Sequence, residues 1–335
     1  MSPMRLILGL VLGITLAQAK AATMKAIVAH EYGAPEMLKY EDAPRPEPKE
    51  NELLVRVIAC GVNPADPLVI SGRMAKEFGT HLPLIPGYDV AGVVEATGAK
   101  VTKFKKGDAV YGFALFGGGW AEYAVLAENE AALKPKSATF VETAAVPMGA
   151  LTAWQALIDT AKLSAGQTVL IHGGSGGVGS FAVQIAKARG ARVIATASTA
   201  NQDLLKQLGA DVAIDYTKTK FEDVAKEVDV VFDTVGRDTL ARSYALVKRG
   251  GIVTTIVARP DQAQLDKYGI RGSSVWSHPD GNELAEITKL IEARKIKPAV
   301  GQVLPLADAI KASQQAETHH TRGKLVLKIA EEPKS

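Results

Sequence analysis

The chain has 335 residues, 47% of them apolar, enough to bury a large core and in line with about two domains. Its formal net charge of +3, spread evenly along the sequence, gives no electrostatic case for nucleic acid or an anionic membrane surface. Cys60 is the only cysteine, which excludes an intrachain disulfide and any zinc site built on several thiolates. At the N-terminus, Arg5 precedes an apolar run over 6–17, and Ala17-Gln18-Ala19 fits a small-x-small cleavage site. A secretory signal over 1–19 is expected, since the run is shorter than the about 20 residues of a membrane span. The protein is then periplasmic or secreted. The alternative is a misplaced start, with Met24 opening the first strand of a cytoplasmic protein.

From 24 to about 125 the sequence predicts short strands punctuated by Pro and Gly, over 25–30, 52–59, 89–96, 109–111 and 121–125. They describe a compact, partly β-barrel domain, with the Pro-rich stretch 43–49 as a surface connection. After Pro147 strand and helix alternate: helix 151–160, strand 168–172, helix 180–189, strand 192–196, helix 201–208, then strands 212–214, 228–233 and 251–257. Alternation of this kind makes a parallel, doubly wound sheet. Helices 281–294 and 306–315 and strand 324–329 are expected to return to the first domain. The division is then 24–147 with 282–331 around an inserted domain 148–281, the cleft between them being the default ligand site.

Gly174-Ser175-Gly176-Gly177-Val178-Gly179 matches G-x-G-x-x-G where the period changes from strand to helix. A second strand follows about 20 residues on, as a mononucleotide-binding unit requires. Gly174 is expected to allow the tight turn, Gly176 to let the backbone approach a pyrophosphate, and Gly179 to let the helix pack on the strand. His172, beside this loop, reads as a packed residue rather than a base, and His319-His320 reads as surface.

Eight segments in order resemble the zinc-free quinone oxidoreductase (zeta-crystallin-like) branch of the medium-chain dehydrogenase/reductase superfamily. They are Cys60-Gly-Val-Asn63-Pro-Ala-Asp66, Pro86-Gly-Tyr88-Asp89, Gly107-Asp-Ala-Val-Tyr-Gly112, Gly118-Gly-Trp-Ala-Glu-Tyr123, Leu151-Thr152-Ala-Trp-Gln155, the 173–179 loop, Val231-Phe-Asp-Thr234-Val235-Gly236 and Arg322-Gly-Lys324-Leu-Val-Leu327. The resemblance implies a GroES-like, partly β-barrel catalytic domain and a Rossmann domain. Zinc-dependent members carry Cys where Asn63 stands and Gly-His-Glu where Gly87-Tyr88-Asp89 stands, so no zinc is expected. The resemblance further implies Asn63 as a catalytic candidate, Thr152, Thr234, Val235 and Val257 beside a nicotinamide, Tyr216 on the phosphate side, Lys324 among the cofactor residues, and a homodimer formed through 269–276; Tyr88 is a second catalytic candidate that reads equally as core. Many relatives have a Tyr where this chain has Met74. Tyr88, Lys76, His81 or water must then supply the proton.

NAD-specific cradles end their second strand in Asp or Glu, whereas this one runs Ala197-Ser198-Thr199-Ala-Asn201. Without an acid to repel a 2′-phosphate, and with Ser198 and Asn201 as small hydrogen-bonding groups, NADPH is favoured. Without zinc there is no Lewis acid to hold an alkoxide, so alcohol oxidation is disfavoured. A quinone or activated alkene spreads the arriving charge over its own π system and is the expected acceptor. The competing expectation is a nucleotide-binding redox sensor or structural protein with little turnover.

Overall fold

The computed structural model describes residues 22–318 and 321–333. The expected signal over 1–19 and the pair His319-His320 lie outside them. Two strands, β1 (Thr23–Val28) and β2 (Lys39–Pro44), pair antiparallel. Then follow β3 (Glu52–Val62), β4 (Asp89–Thr97), β5 (Ala109–Phe113), β6 (Tyr123–Ala127) and β7 (Ala131–Leu133). Six more strands are β8 (Thr168–Ile171), β9 (Arg192–Ala197), β10 (Val212–Asp215), β11 (Val228–Asp233), β12 (Val247–Thr255) and β13 (Arg271–Ser274). The chain closes with β14 (Val300–Pro305) and β15 (Lys324–Lys328).

One sheet has the order β14-β15-β3-β4-β5-β7, with β6 on β3; the other is β10-β9-β8-β11-β12-β13. All pairings in the second sheet are parallel, so the doubly wound half has the expected form. The first sheet draws strands from both sides of the segment that builds the second. Among the described residues no helix is long and apolar enough to cross a membrane.

The parallel strands read as unbroken apolar runs because both faces are covered. Val169, Ile171 and Val193 join a cluster that continues through Leu151 and Val146 into Val57 and Leu327 of the barrel. Leu170, Ile194, Val231 and Val253 face a second cluster on the other side. The expected helix 151–160 instead begins at Pro147, where proline's fixed φ suits a first helical position, and it widens into a π-helix at Gln155–Thr160. Gln155 explains that ending: its side-chain amide donates to His278 O (2.9 Å) and Glu283 Oε2 (2.8 Å) and accepts from His278 N–H (3.1 Å). Strand β14 escaped the sequence reading, being short and ending in Pro305. It lies at the sheet edge, where proline is tolerated.

Candidate functional site

The glycine loop joins β8 to the helix Gly179–Ala188. The left-handed residue of the turn is Gly173 (φ 69°), one position before the Gly174 expected to allow it. Gly174 is small for another reason: a Cβ there would sit 2.9 Å from Leu205 Cδ2 and 3.0 Å from Ala195 Cβ, between helix and sheet. A Cβ on Gly179 would meet Gly173 O at 2.1 Å, so Gly179 closes the turn rather than the helix packing. Gly176 has more room, since a Cβ there would meet only Gly173 O, at a tight 3.3 Å. The N–H groups of Gly177, Val178 and Gly179 find no acceptor among the described residues. These orphan donors, at the positive end of a helix, fit an anionic pyrophosphate. Ser175 is buried, and its carbonyl accepts from Gly323 N–H (2.9 Å).

Around the loop, Ser198, Asn201, Tyr216, Thr234, Val235 and Val257 follow the carboxyl ends of the parallel strands, where ligands of such folds bind, while Thr152 stands on the helix Pro147–Trp154. Val235 and Val257 are about half exposed, at 50% and 51%. Both stand just past the ends of β11 and β12. Thr234 Oγ1 donates to His172 O (2.8 Å), and Thr152 Oγ1 is turned back onto Met148 O (2.6 Å). Asn201 donates to Ser198 Oγ (3.3 Å), and Tyr216 is exposed. One acid that the sequence reading missed reaches this place from the next strand. Asp215, at the end of β10, accepts the Thr199 hydroxyl (2.6 Å) and the Thr217 hydroxyl (2.7 Å), which hold its pKa down to about 2. Lys218 Nζ stands 3.6 Å from it.

His172 is fully buried, with Nε2 2.9 Å from Ser243 Oγ and the ring 4.6 Å from that of Phe221. Burial, with Arg242 nearby, lowers its pKa from 6.5 to about 3. Between those pH values the unfolded chain binds a proton there that the folded chain does not, so His172 subtracts stability as pH falls through this window. At pH 5 the penalty is about 2 kcal/mol. Accordingly, His172→Gln is expected to lose less stability than the parent between pH 7 and pH 5. Urea denaturation at both pH values checks this, and parallel losses in the two proteins would refute it.

On the barrel side the chain builds a buried polar network. Asn63 lies just past β3, and Asp89 opens β4. Asp89 Oδ1 accepts from Met148 N–H (2.7 Å), and its Oδ2 accepts from Asn63 Nδ2 (2.9 Å) and Lys324 Nζ (2.8 Å). Lys324 also donates to Asn63 Oδ1. Asp66 accepts from Asn63 N–H (2.7 Å) and Gly87 N–H (3.0 Å); burial raises its pKa to about 7. Lys324 is 4% exposed, and its stem lies against Gly177. Residues 323 and 324 thus tie the phosphate loop to the Asn63 network. The tie joins residues far apart in sequence, and only the sequence's Arg-Gly-Lys motif hinted at it.

Tyr88, expected beside Asn63 as a catalytic group, is 1% exposed. Its ring packs 4.8 Å from Phe78 and edge-on to Phe113 at 6.2 Å. Burial and the Asp66 charge push the phenol far above its usual range, which makes it a weaker acid than an ordinary tyrosine. The structure places the Tyr88 ring in the aromatic core, the reading that stood beside the catalytic one.

A catalytic zinc needs three protein ligands and an open position. Here Asn63 is not a suitable anion, the Asp66 oxygens are taken by backbone N–H groups, and the Lys324 ammonium fills the space between Asn63 and Asp89. Burial also raises the Cys60 thiol well above its usual range, against the thiolate that a metal would need. These residues do not fit the ion. Among the described residues the one convergent set of three ligand groups is His278, Asp280 and Glu283, at the start of another helix.

Residues 49–136 match the alcohol dehydrogenase GroES-like domain family, and residues 208–327 match the family described as zinc-binding dehydrogenase. The chain is 37% identical over 319 residues to the 2-methylene-furan-3-one reductase of Solanum lycopersicum, covering 91% of this chain and 79% of that one. It is 38% identical to the chloroplastic NADPH-dependent alkenal/one oxidoreductase of Arabidopsis thaliana (91% and 79% covered) and 35% identical to the quinone oxidoreductase of Sus scrofa (90% and 95%). The solved quinone oxidoreductase from Coxiella burnetii superposes with a TM-score of 0.83 at 33% identity, covering 92% of this chain and all of that one. With a parallel sheet, a glycine-rich turn between strand and helix, a GroES-like domain and these relatives, the chain belongs to the medium-chain dehydrogenase/reductase superfamily, in its zeta-crystallin-like quinone oxidoreductase branch.

Proposed function

We propose that the protein is an NADPH-dependent, zinc-independent oxidoreductase that delivers hydride to a quinone or an α,β-unsaturated carbonyl. The observation that carries this reading is the junction at Lys324: a phosphate loop with orphan N–H donors is tied directly to a polar network whose cation is an ammonium rather than a metal. The names of the relatives support the acceptor class.

When bound, the reduced nicotinamide supplies hydride from its C4. The chain's own part is positioning and charge. Gly177, Val178 and Gly179 hold the pyrophosphate, while Val235 and Val257 support the ring from the sheet edge. Ser198, Asn201 and Tyr216 take the adenosine side, and Lys218 offsets the Asp215 charge for a 2′-phosphate. Lys324 holds Asn63 Oδ1, which fixes the amide so that the Nδ2 proton not given to Asp89 is available to the acceptor's developing enolate oxygen. With Tyr88 withdrawn into the core, the proton comes from water or from the exposed Lys76 and His81.

The test is NADPH oxidation followed at 340 nm by the protein lacking residues 1–19, against 1,4-benzoquinone, 9,10-phenanthrenequinone and a short 2-alkenal, with NADH in parallel and zinc measured in the same preparation. Turnover with NADPH well above NADH, at substoichiometric zinc, is expected. NADPH binding without turnover would replace this reading by a nucleotide-binding sensor or structural protein, and stoichiometric zinc would overturn the metal-free chemistry.

A further inference from the structure

Ser274, the last residue of β13, pairs in register with Thr255 at the carboxyl end of β12, and Val275 N–H donates to Thr255 O (2.9 Å). The chain therefore leaves the sheet at the same edge that carries Val235 and Val257. The next residue is Trp276, which is 59% exposed. Its ring does not join the core of its own sheet. It crosses to the barrel, where its centroid lies 5.7 Å from that of Phe78 with the planes at 55°. Phe78 in turn packs on Tyr88. An aromatic series thus runs from the barrel core to the sheet edge, and its outermost member keeps most of its surface uncovered. A tryptophan with a purely structural role is usually far more buried, because its large apolar area gains most from leaving water.

We propose that Trp276 recognises the hydride acceptor: braced on the buried Phe78, its exposed indole offers an aromatic face beside the carboxyl edge of the parallel sheet, against which a flat conjugated ring system stacks. The protein on this account takes polycyclic quinones in preference to short open-chain alkenals. The assignment rests on the hydride-transfer reading above. It explains why an indole stands where the barrel meets the carboxyl edge, a place that the sequence reading gave only to dimer formation.

The experiment compares Trp276→Ala and Trp276→Phe with the parent in steady-state reduction of 9,10-phenanthrenequinone and of a short 2-alkenal. Size-exclusion chromatography and NADPH titration are run on each protein. For Trp276→Ala a rise in KM of about tenfold is expected with the quinone, the size of one lost aromatic contact. The alkenal, the NADPH affinity and the assembly state should be unchanged, and Trp276→Phe should keep most of the quinone affinity. An equal loss with both acceptors, no loss with either, or a changed assembly state would overturn the proposal. Should the parent turn over neither acceptor, the hydride-transfer reading fails, and stacking is then measured alone by equilibrium dialysis of phenanthrenequinone. Equal binding to parent and Trp276→Ala would overturn it there as well.

Discussion

Replacing Lys324 by Met is expected to destabilise the fold by about 3–5 kcal/mol, the range for removing one partner of a buried ion pair. The methionine fills a similar volume, so the loss is one of charge rather than of packing. It leaves Asp89 with no cation at 0% exposure, close to Asp66, another fully buried carboxyl. The variant Lys324→Met/Asp89→Asn removes both charges together and should recover more than half of that loss, because neutral groups in the same space carry no uncompensated charge. Denaturant unfolding of the two single variants and the double one measures the coupling. If the two single losses simply add, the ammonium and the carboxylate do not stabilise each other, and the account of the site fails.

In the phosphate loop, Gly176→Ala and Gly179→Ala are expected to fail differently. At Gly179 the new methyl would overlap the Gly173 carbonyl, a backbone atom that cannot swing away, so the turn itself must shift. A stability loss of about 1–3 kcal/mol accompanies the loss of NADPH binding. At Gly176 the methyl would press only on the Gly173 carbonyl, at 3.3 Å, and the stability loss should be milder, no more than about 1 kcal/mol. Yet that methyl stands where a pyrophosphate must approach the backbone. Losing two charge-assisted hydrogen bonds weakens NADPH binding on the order of 100-fold. Thermal melts with and without NADPH separate the two. A Gly176→Ala protein that binds NADPH normally would place the pyrophosphate elsewhere.

Much of the fold was legible in the sequence because it is written in periodicity. Runs such as Val169-Leu170-Ile171 must be buried on both faces, and the glycine loop announces itself where strand gives way to helix. The family likewise stood in its motifs. Other elements were hidden because no local pattern encodes them. The sequence of β14 shows no apolar–polar alternation and the strand pairs only along the edge that β15 offers, and the Gln155 side chain, where the helix after Pro147 widens into a π-turn, is held by residues more than a hundred positions away. The same limit applied at the site. The sequence supplied Asn63, Tyr88, Lys324 and the glycines as residue types in motifs. Which of them touch, and which are withdrawn, depended on burial and charge. Tyr88 went into the aromatic core, Lys324 became the cation of Asn63 and Asp89, and Asp215 came to Thr199 from a neighbouring strand. By itself the sequence determined a nucleotide-binding sheet, a barrel and the superfamily, since these follow from local pattern and spacing. Only the tertiary structure decided where the charges lie and which aromatic rings are buried or exposed, because pairing and desolvation are properties of residues brought together from distant parts of the chain.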